Sequence, residues 1–368
     1  MAYFVGIVLS LDREPISKAD SKAMLDFDPN GPAPADSGLF GLPYSPEDSK
    51  LVLVPVPWEA TTSYGDGTSG GPSAILKASH QVDLFDLECE NAYEAGIAMV
   101  EPAQDIRRWN RIARSHATKI ITKVGAKSGS RQLRKAMEHV NQLGERVNEW
   151  VREISGYWLR RGRLIGILGG DHSVPFGAIQ ALAERHERFG ILQLDAHSDT
   201  RRAYEGFRWS HASIMDNVLQ HVPQVVKLVQ IGIRDFCQEE VERTRSLGDR
   251  VKVFFDADIK RALFEGISFR EMVVQIVREL PQTVYLSFDI DGLDPSLCPH
   301  TGTPVPGGFS YSETAFLLGE LVRSGRKIIG FDLCEVSPGP EGDEWDANVG
   351  ARLLYKMCVW TLLSQAGQ

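Results

Sequence analysis

Seven short apolar runs, each the length of one strand, recur at 51–56, 164–168, 190–194, 226–231, 251–255, 284–288 and 328–333. Among them lie segments whose apolar residues repeat at helical spacing, near 176–187, 269–279, 312–324 and 348–363. Strands that are apolar throughout are buried on both faces, and strand–helix alternation is the connection that parallel strands require. The pattern predicts an α/β fold with a mostly parallel sheet covered by helices on both sides. No internal repeat or low-complexity tract interrupts it.

The chain has 368 residues, long for one domain at about 100–200 residues each, so the start of the folded unit matters. Residues 17–49 are rich in Pro, Gly, Ser and Asp with few periodic apolar positions. They predict an N-terminal arm over 1–49 and one large domain over 50–368. After the first run, Gly65-Asp-Gly-Thr-Ser-Gly-Gly-Pro-Ser reads as a loop opening a helix, with Pro72 in its first turn. Residues 106–161, with Val140, Leu143, Val147 and Val151 at helical spacing, predict a helical insertion broken near 125–130.

Charge and composition exclude several function classes. Forty basic residues against forty-nine acidic ones leave a net charge of −9, the wrong sign for a protein that gains affinity by neutralising nucleic-acid phosphates. No apolar run approaches the roughly 20 residues of a membrane span. The apolar start is followed at once by Asp12, Arg13 and Glu14 without a basic segment before it, so a cytoplasmic location is expected. Five widely spaced cysteines without a CxxC pair argue against a disulfide framework or a thiolate zinc site.

In an open parallel sheet, ligands collect outside the carboxyl ends of the strands. Three runs end in polar clusters: Gly169-Gly-Asp-His172-Ser, Asp195-Ala-His197-Ser-Asp199, and Asp289-Ile-Asp291-Gly-Leu-Asp294-Pro. Side chains of an extended segment alternate, so Asp195, His197 and Asp199 share one side, as do Asp289 and Asp291. With His172 this brings two imidazoles and four carboxylates to one edge, a negative charge density that needs a counter-ion near a core. Two divalent cations would match the four carboxylate charges. Nitrogen and oxygen donors without sulfur favour Mn²⁺, with Ni²⁺, Fe²⁺, Co²⁺ or Zn²⁺ compatible. Each motif alone would read as a turn with a capping Asp and a surface His; three at strand ends outweigh that reading.

Together with Thr301-Gly-Thr-Pro-Val-Pro-Gly-Gly, these motifs resemble the signatures of the ureohydrolase superfamily, which contains arginase, agmatinase, formiminoglutamase and guanidino-acid hydrolases. Order and spacing match over 51–363. The resemblance implies an arginase-like three-layer α/β/α fold, two Mn²⁺ per chain, and a homo-oligomer, trimer or hexamer. It also implies hydrolysis of a small guanidino or formimino substrate. Carried over position by position, Asp195 and Asp289 would bridge the ions, His172 and Asp199 would complete one shell, and His197 and Asp291 the other. A water activated between the ions would attack the guanidinium carbon. Glu335, in Cys334-Glu-Val-Ser-Pro, matches the glutamate that pairs with the substrate guanidinium. His211 falls where relatives carry a histidine that contacts substrate or shuttles protons, although Ser210-His-Ala-Ser replaces the usual His-Gly-x-Pro. Asp199, His211 and Glu335 form the expected catalytic set, and Thr303 is a further candidate substrate contact.

Arg201 stands where arginases place an asparagine and resembles the formiminoglutamase pattern, in which an arginine reads a substrate carboxylate. Such a cation would repel the ammonium tail of agmatine. The alternative is a side chain facing solvent or paired with Glu205. The segment 202–213, with Tyr204, Phe207 and Trp209, reads as a pocket wall. General similarity is closest to the agmatinase branch. The expected reaction is release of urea and an amine from a guanidino compound, agmatinase- or arginase-like, with a guanidino acid, formiminoglutamate or guanidine as alternative substrates. A zinc deacetylase on a similar fold would need a His-His pair, which is absent, and a non-catalytic binding protein would usually have lost one of the six ligands. The remaining histidines, His80, His116, His139, His186, His221 and His300, read as surface or structural.

Overall fold

The computed structural model describes residues 27–34, 36–122 and 130–366. Its eight strands are β1 (Leu51–Val56), β2 (Ile97–Met99), β3 (Leu164–Gly169), β4 (Phe189–Leu194), β5 (Val225–Ile233), β6 (Val251–Phe255), β7 (Thr283–Asp289) and β8 (Lys327–Cys334). They form one sheet in the order β2-β1-β3-β8-β7-β4-β5-β6, with every pairing parallel. All seven apolar runs are strands. The eighth, β2, is a three-residue edge strand, too short to stand out as a run.

Among the described residues ten α-helices accompany them: α1 (Gly71–Ser79), α2 (Gln104–Ile121), α3 (Arg131–Arg160), α4 (Phe176–Ala183), α5 (Ile214–His221), α6 (Gln238–Ser246), α7 (Asp256–Phe264), α8 (Phe269–Arg278), α9 (Tyr311–Arg323) and α10 (Trp345–Leu363). The segment read as helical over 106–161 holds α2 and α3; of its expected break, 125–129 lies outside the described residues. Successive residues of β1 show why the sheet needs two covers. Val52, Val54 and Val56 join an apolar cluster with Ile106 of α2 and Val147 and Val151 of α3. Leu51 and Leu53 join the opposite cluster with Ile75 of α1 and Leu354 of α10. Each fully buried aliphatic side chain contributes about 1.5–3 kcal/mol, so burial on both faces holds these short strands more than intrinsic propensity does.

Of the arm expected over 1–49, residues 1–26 and 35 lie outside the described residues. Leu39, Phe40, Leu42 and Tyr44 are buried in the main core. The Phe40 ring packs edge-on against Tyr355 of α10 with centroids 5.0 Å apart, and its N–H donates to Ser79 Oγ at 2.9 Å. Core packing thus reaches upstream of Lys50. No described helix is long and apolar enough to cross a membrane.

The four strands that end in the polar clusters or in Glu335, namely β3, β8, β7 and β4, are consecutive neighbours at the centre of the sheet. Parallel pairing puts all their carboxyl ends on one edge, which is how segments more than a hundred residues apart come to share one site.

Candidate active site

The edge is closed by tight backbone approaches that only glycine permits. A Cβ on Gly170 would lie 2.0 Å from the Trp58 carbonyl oxygen, and one on Gly292 would lie 2.8 Å from the Asp195 nitrogen. These contacts seat the 170–173 turn and the Asp291 turn against the neighbouring strand ends.

His172, fully buried, is the hub. Its Nδ1 lies 3.1 Å from Asp195 Oδ2, 3.3 Å from Asp199 Oδ2 and 3.5 Å from Asp289 Oδ2. On its other side Nε2 is 2.9 Å from Ser287 Oγ and 3.4 Å from Asp332 Oδ1, contacts that set the ring's orientation. His197 Nδ1 lies 3.0 Å from Asp291 Oδ2 and 3.7 Å from Asp195 Oδ1. Two groups have donor atoms close enough to share an ion: His172, Asp195 and Asp199, and Asp195, His197 and Asp291. Asp195 belongs to both. Five of the six expected ligands fall in these two groups, and the sixth, Asp289, lies beside them at 3.5 Å from His172 Nδ1. A third group, His172, Asp332 and Cys334, lies behind the histidine; burial holds the Cys334 thiol well above its usual pKa, so it stays a neutral neighbour.

Charge is crowded here. Burial opposes protonation of His172, yet Asp195, Asp199, Asp289 and Asp332 outweigh it and hold its pKa well above the ordinary value. Burial likewise opposes His197, but Asp291 and Asp195 hold its pKa at about 12. Burial and the Asp195 charge push Asp199 up to about 7, and burial with Asp291 and Asp195 pushes Asp289 well above the carboxylate range. Four buried carboxylates that the two imidazoles neutralise only partly are what a pair of divalent cations would satisfy, and the donor set fits such ions.

Glu335, at the end of β8, is buried with a left-handed backbone, φ 63°. Its Oε1 accepts the His172 N–H at 2.8 Å, while Oε2 is buried without a partner. Burial, then Asp289 and Asp171, hold its carboxyl well above the usual range. Asp199 is also left-handed, φ 54°. Two non-glycine residues in this conformation at one edge mark a place where geometry is kept at a cost in backbone strain.

The segment after Asp199 forms one wall. Burial, and next the His197 charge, lower the His211 pKa to about 3, leaving the ring neutral. Tyr204 packs edge-on to His211 at 5.9 Å. Thr303 Oγ1 donates to Asp291 Oδ2 at 3.4 Å, which ties that residue to the cluster itself. Arg201 does not pair with Glu205: its Nη2 lies 3.4 Å from Glu240 Oε2. His300, among the histidines set aside as structural, holds Asp346 through both its backbone N–H and Nδ1, each at 2.9 Å.

Sequence reasoning missed the residues behind the ligands. Asp332 and Gln193, whose Nε2 donates to Asp195 Oδ2 at 2.7 Å, lie inside strands. The available signal was a polar residue interrupting an apolar run. Glu240 carries no such signal.

An all-parallel sheet with clustered carboxylates and imidazoles at its carboxyl edge defines an α/β enzyme with a candidate metal centre. The arginase family model matches residues 49–359. The chain is 33% identical to an N(1)-aminopropylagmatine ureohydrolase of Thermus thermophilus over 319 residues, 86% of this chain and 92% of that protein. It is 29% identical to a proclavaminate amidinohydrolase of Streptomyces clavuligerus, covering 86% and 91%. The solved structure of proclavaminate amidino hydrolase from Streptomyces clavuligerus aligns with a TM-score of 0.67 at 23% identity, covering 91% of this chain and all of that one, which supports the fold. The chain belongs to the arginase family and is a ureohydrolase, a hydrolase of C–N bonds in linear amidines.

Proposed function

We propose that this ureohydrolase is a dinuclear metal enzyme that cleaves an amine-tailed guanidine to urea and the tail amine. The observation that carries the reading is the convergence of His172, His197 and four buried aspartates beside the unpartnered Oε2 of Glu335. Asp195 and Asp289 would be shared between two ions, His172 and Asp199 would serve one, and His197 and Asp291 the other, with Mn²⁺ favoured by the nitrogen and oxygen donors. Bound divalent ions lower the pKa of water and so supply a nucleophile at neutral pH.

The chain's own groups do the rest. Glu335 Oε2 accepts a guanidinium N–H while Oε1 stays on the His172 backbone, fixing the substrate carbon at the cluster. The water oxygen bonds to that carbon and gives up its two protons, the C–N bond to the tail breaks, and the tail nitrogen takes up both, so that urea and a protonated amine leave. His211, neutral and beside the cluster, offers one N–H and one lone pair for that transfer. The amine tail is supported by the 33% relative whose name specifies an aminopropylagmatine. A guanidino acid is the second reading, favoured by the half-buried Arg201 on the same wall. A trimer or hexamer is the expected assembly.

The test is metal analysis with a urea-release assay on agmatine, aminopropylagmatine, arginine, 4-guanidinobutyrate, guanidine and, by formamide release, formiminoglutamate. Two ions per chain and fastest release from an amine-tailed guanidine are expected. One zinc per chain, or no urea from any guanidine, would overturn the reading.

A further inference from the structure

From His211 outward runs a chain of contacts to which the reaction above gives no role beyond His211 itself. Tyr204 meets the His211 ring at 5.9 Å, and the Arg201 guanidinium carbon sits 5.0 Å over the Tyr204 ring. Arg201 Nη2 in turn reaches Glu240 Oε2 at 3.4 Å. The Arg201 backbone is anchored beside His211, its N–H donating to the Ala212 carbonyl at 3.1 Å. This places a guanidinium, 37% exposed in its side chain, one aromatic ring beyond His211.

Its partner cannot leave. The Glu240 side chain is only 5% exposed, and it forms the capping box of α6, accepting the Cys237 N–H on Oε2 at 3.0 Å. Its Oε1 also accepts the Thr200 N–H at 3.4 Å, the residue between Asp199 and Arg201. An acid fixed at a helix N-terminus, where the helix dipole favours a negative charge, is a permanent counter-ion rather than an adjustable one.

We infer that Glu240 is the specificity-determining residue of this site: by neutralising Arg201 it stops that arginine from holding a substrate carboxylate and from repelling a cationic tail. The inference rests on the guanidine-hydrolysing function proposed above and names the tail class that Arg201 alone would misassign. An arginine by itself selects an acid; the pair presents no net charge, and a protonated amine tail passes it without penalty.

The experiment is steady-state urea release from agmatine, whose tail is cationic, and from 4-guanidinobutyrate, whose tail is anionic, at matched metal content. Wild type should prefer agmatine. Glu240→Gln removes the charge while its amide oxygen can still accept the Cys237 N–H; the longer Thr200 N–H contact is lost to the amide NH2, a change common to both substrates that their ratio at matched metal content does not register. The substitution should raise the ratio of kcat/KM for 4-guanidinobutyrate over agmatine about tenfold or more, the worth of one charge-assisted hydrogen bond. The double variant Glu240→Gln with Arg201→Gln should bring the ratio back towards wild type, because the freed cation is gone. A merely structural role for Glu240 would lower both activities together and leave the ratio in place. An unchanged ratio in Glu240→Gln, a raised ratio that persists in the double variant, or a wild-type preference for the acid would each overturn the inference while leaving guanidine hydrolysis intact. No urea from either of these two would overturn this inference, and no urea from any guanidine of the panel above would overturn the functional reading with it.

Discussion

The strand-end cluster and the wall at 200–213 occupy the same edge, but different forces hold them there. His172, Asp195, Asp289 and Glu335 sit at or directly beyond the ends of four adjacent strands, so the ladders that pair β3, β8, β7 and β4 also set the ligand spacing. The wall has no ladder. It is tied to α3 by Asn141, whose Nδ2 donates to the Gly206 carbonyl at 3.4 Å and whose Oδ1 accepts the Arg208 N–H at 2.9 Å. Asn217 of α5 donates to the Arg208 carbonyl at 2.9 Å. Chemistry common to a family can therefore be kept by the sheet while the tail-reading wall changes with a few side chains.

The largest expected effect separates the two regions at once. Asp289→Asn removes the charge of a proposed shared ligand and should cost more than the roughly 10–100-fold that loss of a partner behind a ligand costs. Metal content should fall with it while the circular-dichroism spectrum stays native. Near-normal turnover with two ions bound would break the assignment of the cluster. Next, Glu335→Gln weakens one charge-assisted contact and should lower kcat/KM for a guanidine about ten- to a hundredfold at unchanged metal content. Loss of metal in that variant would place Glu335 among the ligands instead.

A third prediction concerns pH. In the metal-free protein, His172 and His197 have raised pKa values, about 12 for His197. The stability they contribute is complete below the unfolded value of about 6.5 and is lost as pH rises towards the folded value. Asp199, raised to about 7, carries no penalty below the unfolded carboxylate pKa and an increasing one up to about 7. Both effects make the folded chain bind more protons than the unfolded one between pH 5 and 8, so metal-free stability falls across that range. Chelation should then lower Tm by more at pH 8 than at pH 5, with a difference on the order of a few degrees. The lowered pKa of Asp195, held down by His172 and His197 against burial, acts only in more acidic solution, below the unfolded carboxylate pKa. An equal loss at both pH values, read by differential scanning calorimetry, would show that the cluster is not the proton-linked element.

The smallest effect tests the wall. Asn141→Ala removes two hydrogen bonds worth about 0.5–1.5 kcal/mol each. It should raise KM several-fold with kcat and metal content nearly unchanged. A fall in metal content would show that wall and cluster are not separable.

What the amino-acid order determined by itself was whatever depends on local period. Apolar runs marked seven of the strands within a residue or two of their observed ends, because burial of every residue of a central strand is written in the run itself. The polar clusters after β3, β4 and β7 were legible as interruptions of apolar runs, but the backbone there is not extended throughout: Asp199 is left-handed and Asp291 lies in a one-turn helix, so their approach to the cluster is a tertiary matter. Tertiary structure decided the contacts between distant segments. Pro- and Gly-rich composition marked the stretch before Lys50 as an arm, but burial of Leu39 and Phe40 depends on α10, some three hundred residues away. Glu205 was the nearer candidate partner for Arg201, yet the carboxylate in reach is Glu240, brought there by β5 pairing beside β4 and by the start of α6. The charge of a side chain is written in the sequence, but whether that charge is free to act depends on which residue the fold sets against it.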